Sequence, residues 1–554
     1  MFIPKKVFVG AIVLLITFGC SIRLAAQTQK VAASMDAALV NQLVTYPAPK
    51  GSELNTDFSV SVRKPGGAWQ PVATYLVKVA VVTGDGRMPP TNSSMSYFDF
   101  AGAVEILITS NRGSIESARI RPLSVGLKSE LKDNTLTFSL AQPSNLSIEV
   151  NGDIFRNLQL FANPIEPILP DPKDPDVIYF GPGVHVIGEI GTPVGLPAPP
   201  VPPRPEGSRP VNPARAEAFR EMQKRTFRVP TGKTVYIAGG AIIRGRILCD
   251  QAENVRIIGR GMVEQSILGG GIRISNSRNI EVSGIFTQQC FTGGSQHVTI
   301  TNVKCISYVR NGDGMNVISS SDVLIDGVFN RNSDDCITVY GTRLGFTGGA
   351  SRIVVQNSTL WADVAHPILV GTHGNTPNPD TLEELRFSNL DILDHAEPQL
   401  DYQGCLSLNA GDSNLIRNVR FEDIRIEDFR QGQLVNLRVF YNRKYCTSPG
   451  RGIENVYLKN ITYTGSHASH SVIEGYDDAR LVKNIVFENL TINGKSCSWQ
   501  MERGHYAVAD LAGMYVGPHV EGIEFLPLGG AKEPPPVPRP RPDRLYPPPV
   551  VPAS

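Results

Sequence analysis

Three carboxylates dominate residues 311–340: Asp313, and 21 residues later the adjacent pair Asp334 and Asp335. Around them Val323, Ile325 and Val328, then Ile337 and Val339, alternate with other residues as strands do. Neighbours in a regular strand face opposite ways, and burying one carboxylate alone is costly. The pair therefore belongs at a strand end or a bulge. An interval of 21 residues suits about one turn of a parallel β-coil, and strands on successive turns lie ~4.8 Å apart. Asp313 would then sit beside the pair. Carboxylates that close cannot all ionise freely, so at least one pKa rises, which is the division of labour between a general acid and a base. The plainer reading is that these are turn aspartates capping a coil.

The elements that must position these groups can be read along the chain. With 554 residues, two domains are expected. A net charge of +1 indicates neither a nucleic-acid-binding field nor an acidic disordered chain, and abundant Gly and Pro favour turn-rich β structure. Residues 1–27 read as an export signal, with Lys5 and Lys6, an apolar stretch over 7–18 and Ala25-Ala26-Gln27, which implies a periplasmic or extracellular protein. Cys20 in Thr17-Phe18-Gly19-Cys20 is the alternative, a lipid anchor. No later run is long enough to span a bilayer. Of eight cysteines, seven follow the signal, so at least one thiol is free; no C-x-x-C pair supports a zinc ribbon or redox motif.

Residues 36–165 read as a β-sandwich, from short alternating strands at Phe58, Val60 and Val62 and at Leu136, Phe138 and Leu140. Residues 166–228 read as a proline-rich connection with a short helix. From 229 to 527 a unit of two polar residues, an apolar anchor, any residue and a second apolar residue recurs. Its anchors are Val255, Ile280, Val298, Val323, Ile353, Leu385, Val419, Val456 and Ile485. A fixed short strand with elastic intervals is a β-solenoid pattern. The expected fold is all-β: an N-terminal β-sandwich followed by a right-handed parallel β-helix. Residues 528–554 are expected to form a disordered proline-rich tail.

The solenoid and the aspartate spacing together resemble a clan of sugar-cleaving β-helix enzymes. Its members include the polygalacturonases of glycoside hydrolase family 28 and the dextranase and isopullulanase group of family 49. Asn311-Gly312-Asp313-Gly314 and Ser333-Asp334-Asp335-Cys336 are similar to the polygalacturonase Asn-Thr-Asp-Gly and Asp-Asp motifs. The segment from Ala365 through His366 to Gly371 resembles a drifted Gly-His-Gly. The β-sandwich ahead of the helix, Tyr340 after the acid pair, and Trp361 before Pro367-Ile368-Leu369 are similar to the dextranase group. No Arg-Ile-Lys signature follows His366, and Thr338 stands where the dextranase group has lysine; the sugar is left open.

The resemblance implies a secreted inverting glycoside hydrolase acting on an α-linked polysaccharide or oligosaccharide. Asp334 would be the acid, with Asp313 and Asp335 activating a water on the opposite face, an arrangement that needs ~6.5–9.5 Å between acid and base carboxyls. His366 would tune the acid, with His373 as the competing histidine. Substrate-contact candidates are Trp361, a sugar-stacking or core aromatic, Tyr340, a wall or core residue, and Arg438 in Leu437-Arg438-Val439. No cofactor or metal is required, no nucleic acid or membrane partner is expected, and a monomer suffices. A β-helix polysaccharide lyase and a non-catalytic glycan-binding solenoid are the rival classes.

Overall fold

The computed structural model describes residues 42–83, 86–166, 169–198, 213–264, 270–497, 513–538 and 540. The export signal read at 1–27 lies outside them. Near the N-terminus, two sheets face each other. One holds six strands, including Gly86–Phe100, Ser144–Val150 and Asp153–Pro164; the other holds five, including Phe58–Arg63, Val104–Ser110 and Thr135–Leu140. Alternation sends Phe58, Val60 and Val62 of one sheet and Leu146, Ile148 and Leu160 of the other into a shared core, the packing of a sandwich.

The rest of the described chain winds into a right-handed parallel β-helix with a twenty-stranded and an eleven-stranded sheet. The sequence anchors form one column. Val255 pairs with Ile280, Ile280 with Val298, Val298 with Val323, and so on through Ile353, Leu385, Val419 and Val456 to Ile485. Each anchor but Ile280, at 2%, and Val456, at 1%, is 0% exposed. The residue before every anchor has positive φ: Asn254, Asn279, His297, Asp322, Arg352, Glu384, Asn418, Asn455 and Asn484. Asn tolerates that left-handed conformation best among residues with a Cβ. It also bonds its counterpart one coil away, as Asn279 does with Asn254 at 3.1 Å and Asn484 with Asn455 at 3.0 Å.

Two boundaries differ from the sequence reading. Val177–Phe180 already pairs in parallel with Thr234–Ile237, so the coils start inside the stretch read as a connection, because proline-rich flanks conceal a four-residue strand. At the other end, the Pro534 and Pro535 carbonyls accept hydrogen bonds from Arg420, and Glu533 pairs with Lys459. That part of the expected disordered tail is held against the coils; 541–554 lie outside the described residues. All seven described cysteines are free and buried. No described helix is long and apolar enough to cross a membrane.

The sandwich docks on an apolar strip of the solenoid. Ile242, Met262, Phe286, Phe329, Trp361 and Leu393 from successive coils pack against Tyr75, Val79, Met95, Tyr97 and Phe161. This corrects the sugar-stacking expectation for Trp361. It is 0% exposed, with the Arg331 guanidinium 4.1 Å from its ring and that of Arg121 4.9 Å away. Arg331 in turn pairs with Asp363 at 3.0 Å and donates to Asn157 Oδ1 and Ile154 O of the sandwich. Trp361 thus welds the two units together. Trp361→Ala is expected to lower unfolding free energy by about 3–5 kcal/mol in a denaturant titration, with glycan affinity of the folded variant unchanged. A selective loss of glycan binding would show instead that the ring meets the sugar.

Candidate active site

The eleven-stranded sheet carries the three aspartates at its N-terminal edge. Met315–Ile318 pairs in parallel with Ile337–Tyr340, and that strand with Ile368–Gly371. Counting two residues back from the paired Met315, Ile337 and Ile368 puts Asp313, Asp335 and His366 at one register position on three successive coils, ~4.8 Å apart per step. Asp313 is thus aligned with the second member of the pair, Asp335, while Asp334 flanks the row. Asp334 and Asp335 lie in the bend between Phe329–Asn332 and Ile337–Tyr340, where strand alternation lapses.

Hydrogen bonds from neighbouring coils hold this bend. Asn330 Nδ2 donates to Cys336 O at 2.9 Å, the Cys336 amide donates to His366 O at 2.8 Å, and the Gly314 amide donates to Asp335 O at 2.8 Å. Asn332 Nδ2 and the Ser333 amide both donate to Ser307 Oγ, at 3.0 and 3.1 Å. Gly314 is needed because a Cβ there would come within 2.6 Å of Cys336 O.

The three carboxyls have different surroundings. Asp335 is 6% exposed, yet its carboxylate is well supplied with donors. His366 Nδ1 lies 2.7 Å from Oδ1, the His366 amide donates to the same oxygen at 3.1 Å, and Tyr340 Oη donates to Oδ2 at 3.1 Å. Burial raises the Asp335 pKa, but His366 outweighs it and holds the group below the usual carboxylate range. His366 Nε2 faces the Tyr402 carbonyl at 2.6 Å. A carbonyl only accepts, so Nε2 carries a hydrogen; Nδ1 faces an ionised oxygen and carries another. His366 is therefore an imidazolium. Burial acts against that charge, and the adjacent Asp335 raises its pKa nonetheless.

Asp334 and Asp313 are partly exposed. Burial, then the charges of Asp313 and Asp335, push Asp334 well above the usual carboxylate value. Asp313 is pushed up to about 6 by burial and Asp335, opposed by the hydrogen bond from Asn316 Nδ2 at 2.6 Å. The result is a neutral carboxyl at Asp334 next to an ionised one at Asp335, the combination that proton donation to a leaving group and activation of water require.

The other candidates fall elsewhere. Tyr340 is 2% exposed and its hydroxyl donates to Asp335, which corrects its expected place as a substrate contact: Ile318, Phe346, Leu369 and Tyr402 cover the ring. His373 packs edge-on against Tyr340, ring centres 5.1 Å apart, and burial followed by the Arg343 charge lowers its pKa to about 3; it makes no bond to the acids. Arg438 lies on the same sheet face, three strands from Tyr340 by register, or ~14 Å. It pairs with Glu474 at 3.2 Å and donates to Asp401 O at 3.2 Å, in a separate cavity of 490 Å³ that Tyr441 and Tyr476 also line. Long loops had hidden which coil Arg438 occupies. Residues missed from sequence are Asn316, the second residue of Met315–Ile318, and Glu397, 3% exposed and held by the Gln399 amide at 2.7 Å. Asn316 follows Asp313 by three residues and was legible as a polar residue in an apolar strand; nothing local marks Glu397. Among the described residues no group of His, Cys, Asp or Glu side chains could hold a metal ion.

These pKa directions carry a stability signature. A carboxyl whose folded pKa is raised contributes fully below its unfolded value near 4 and loses that contribution as pH rises through the folded value. Asp334→Asn, neutral at every pH, is therefore expected to raise the thermal midpoint at pH 7 by a few degrees and to leave it unchanged at pH 3. An equal effect at both pH values would mean Asp334 is ionised in the fold.

With this geometry in hand, kinship can be compared. The family model of Glycosyl hydrolases family 28 matches residues 262–509. A probable endopolygalacturonase D from Neosartorya fischeri is 24% identical over 226 residues, 40% of this chain and 43% of that relative. A probable endo-xylogalacturonan hydrolase A from the same organism is 25% identical over 207 residues, 35% of this chain and 48% of its own. The match thus spans less than half the length of these curated relatives. Among solved structures, Dex49A from Penicillium minioluteum superposes with a TM-score of 0.55 at 13% identity, covering 87% of this chain and 96% of its own, a likeness of fold. Over residues 262–509 the chain is similar to the family 28 glycosyl hydrolases, and it has the right-handed β-helix fold.

Proposed function

We propose that the protein is an exported, inverting glycoside hydrolase that cleaves an α-linked polysaccharide at the Asp313–Asp335 row. The observation that carries this reading is geometric: Asp313, Asp335 and His366 share one register position on successive coils, with Asp334 beside Asp335. A neutral Asp334 carboxyl lies beside an Asp335 carboxylate that an imidazolium and a tyrosine hydroxyl keep ionised.

In the proposed reaction the Asp334 carboxyl gives its proton to the glycosidic oxygen as the bond to the anomeric carbon breaks. Asp335, with Asp313, accepts a proton from a water that attacks the opposite face of that carbon. The anomeric centre inverts in a single displacement. His366 serves this chemistry indirectly, by holding Asp335 charged and aimed. Tyr340 does the same from the other carboxylate oxygen. Cavities of 440 and 490 Å³ flank the row on the same sheet face, which suits a chain-like substrate lying along the sheet. The resemblance to polygalacturonases and to the dextranase group agrees with a polymeric sugar, and the sugar itself follows from what lines those cavities.

The test is a reducing-end assay over pectic, dextran-type and other α-glucan substrates. Asp334→Asn is expected to lower kcat by at least about 1,000-fold while the fold persists, and proton NMR of the first product is expected to show the inverted anomer. Near-normal turnover by that variant, or a product that absorbs in the ultraviolet as an unsaturated sugar, would replace this reading with another base or with elimination.

A further inference from the structure

A cavity of 360 Å³ lies where the sandwich meets the solenoid, a volume in the range of small-ligand sites. Close-packed interiors rarely leave so much space. The cavity belongs to a different sheet from the aspartates. Its solenoid side comes from Met262–Glu264, Phe286–Thr287 and Lys304–Ile306, all strands of the twenty-stranded sheet. Its other side includes the sandwich strand Thr74–Thr83.

Two kinds of surface line it. Met262, Phe286 and Ile306 form an apolar floor continuous with the docking strip, and the half-buried Tyr308 adds an aromatic ring. The polar groups are unequally matched. Arg244 is taken up by Glu264 and by the Gly51 carbonyl, each at 3.0 Å, and the Lys304 ammonium by the Asn302 carbonyl at 2.9 Å. Gln288 Oε1, in contrast, is buried with no donor, and an acceptor left so costs free energy. The Lys78 ammonium lies 5.6 Å from the centre of the Tyr308 ring. Lys78 and the exposed Glu53 bring one further charge of each sign.

We infer that this cavity is a second glycan site, holding one neutral sugar unit of a chain away from the aspartates. A pyranose ring has an apolar C–H face and a hydroxyl edge. The face suits Phe286 and Tyr308. One hydroxyl donates to Gln288 Oε1, and another accepts from the Lys78 ammonium. A purely apolar ligand would leave Gln288 unmet, and an anion would face Glu53. The inference goes beyond the hydrolase reading and does not depend on it, because the site would hold a sugar whether or not Asp334 cuts one. The two sites are nevertheless joined by the chain. Tyr308 follows Ser307, whose hydroxyl accepts from Asn332 Nδ2 and the Ser333 amide, and it precedes Asp313 by five residues.

The measurement is calorimetry on the Asp334→Asn protein, with isomaltotriose, maltotriose and galactotriose as probes and trigalacturonate as the charged comparison. At least one neutral trisaccharide is expected to bind. Gln288→Met, close in size but without the acceptor, is expected to weaken that binding at least about 10-fold. Lys78→Ala, at a half-buried position, is expected to weaken it too and guards against a misfolded first variant. If the cavity is a packing gap, Gln288→Met removes an unmet acceptor, so it raises the thermal midpoint and leaves every affinity unchanged. That result overturns the inference, as does neutral-sugar binding that neither variant alters, which would place it at the aspartates. Failure of every neutral trisaccharide to bind, or binding of trigalacturonate alone, overturns it as well. The hydrolase reading fails separately, if Asp334→Asn keeps its activity.

Discussion

Parallel strands that hydrogen-bond from coil to coil must repeat their register, because a slip of one residue would turn every side chain to the opposite face. Here that constraint is enforced twice in each coil. The apolar anchors stack from Val255 to Ile485, and the residue before each one takes a left-handed conformation, where asparagines bond to asparagines on the next coil. With register fixed on the twenty-stranded sheet, loops of very different length can be inserted between coils without disturbing the stack. The aspartate row is a consequence of this. Asp313, Asp335 and His366 are far apart in sequence and adjacent because the ladder leaves them no other positions.

The sandwich adds a second kind of constraint. It covers a strip of the twenty-stranded sheet where Phe286, Phe329 and Trp361 would otherwise be exposed and apolar. The contact also buries charge. Arg331 and Asp363 are both 0% exposed, and Arg121 bridges Glu149 and Glu427 across the two units. Buried ion pairs of this sort contribute little net stability but make a misplaced partner expensive, so they fix how the sandwich sits. The module thus buttresses the coils that carry the acids, and Trp361 belongs to that buttress.

On the active face, the fold accepts an electrostatic cost in exchange for chemistry. Three carboxyls within neighbouring coils repel one another, and the strain is relieved unequally: Asp335 receives a histidinium and a hydroxyl, while Asp334 receives only the Asp335 amide at 3.1 Å. Burial and the neighbouring carboxylates push Asp334 up, whereas the His366 charge, followed by its hydrogen bonds, holds Asp335 down.

Much of this was legible in the residues themselves. The anchors and the polar pair before them are local, since a period of apolar residues reports which face is buried whatever lies beyond it; the all-β solenoid and the nearness of Asp313 to the later acid pair follow from that. His366 was singled out through the resemblance of Ala365 to Gly371 to a drifted Gly-His-Gly motif, and local pattern alone did not separate it from His373. The places of Trp361 and Tyr340 were not legible: an aromatic residue looks the same in sequence whether it faces a sugar, a sandwich or a carboxylate. Arg438 and Glu397 were not either, since loop length sets which coil a residue joins. What the sequence by itself determined was the repeat, and with it the nearness of Asp313 to the Asp334–Asp335 pair. The register that aligns Asp313 with Asp335 and His366, which carboxyl is pushed up, and where Trp361 is buried were decided only by the tertiary structure, because burial and hydrogen-bond supply are properties of neighbours that come from distant coils.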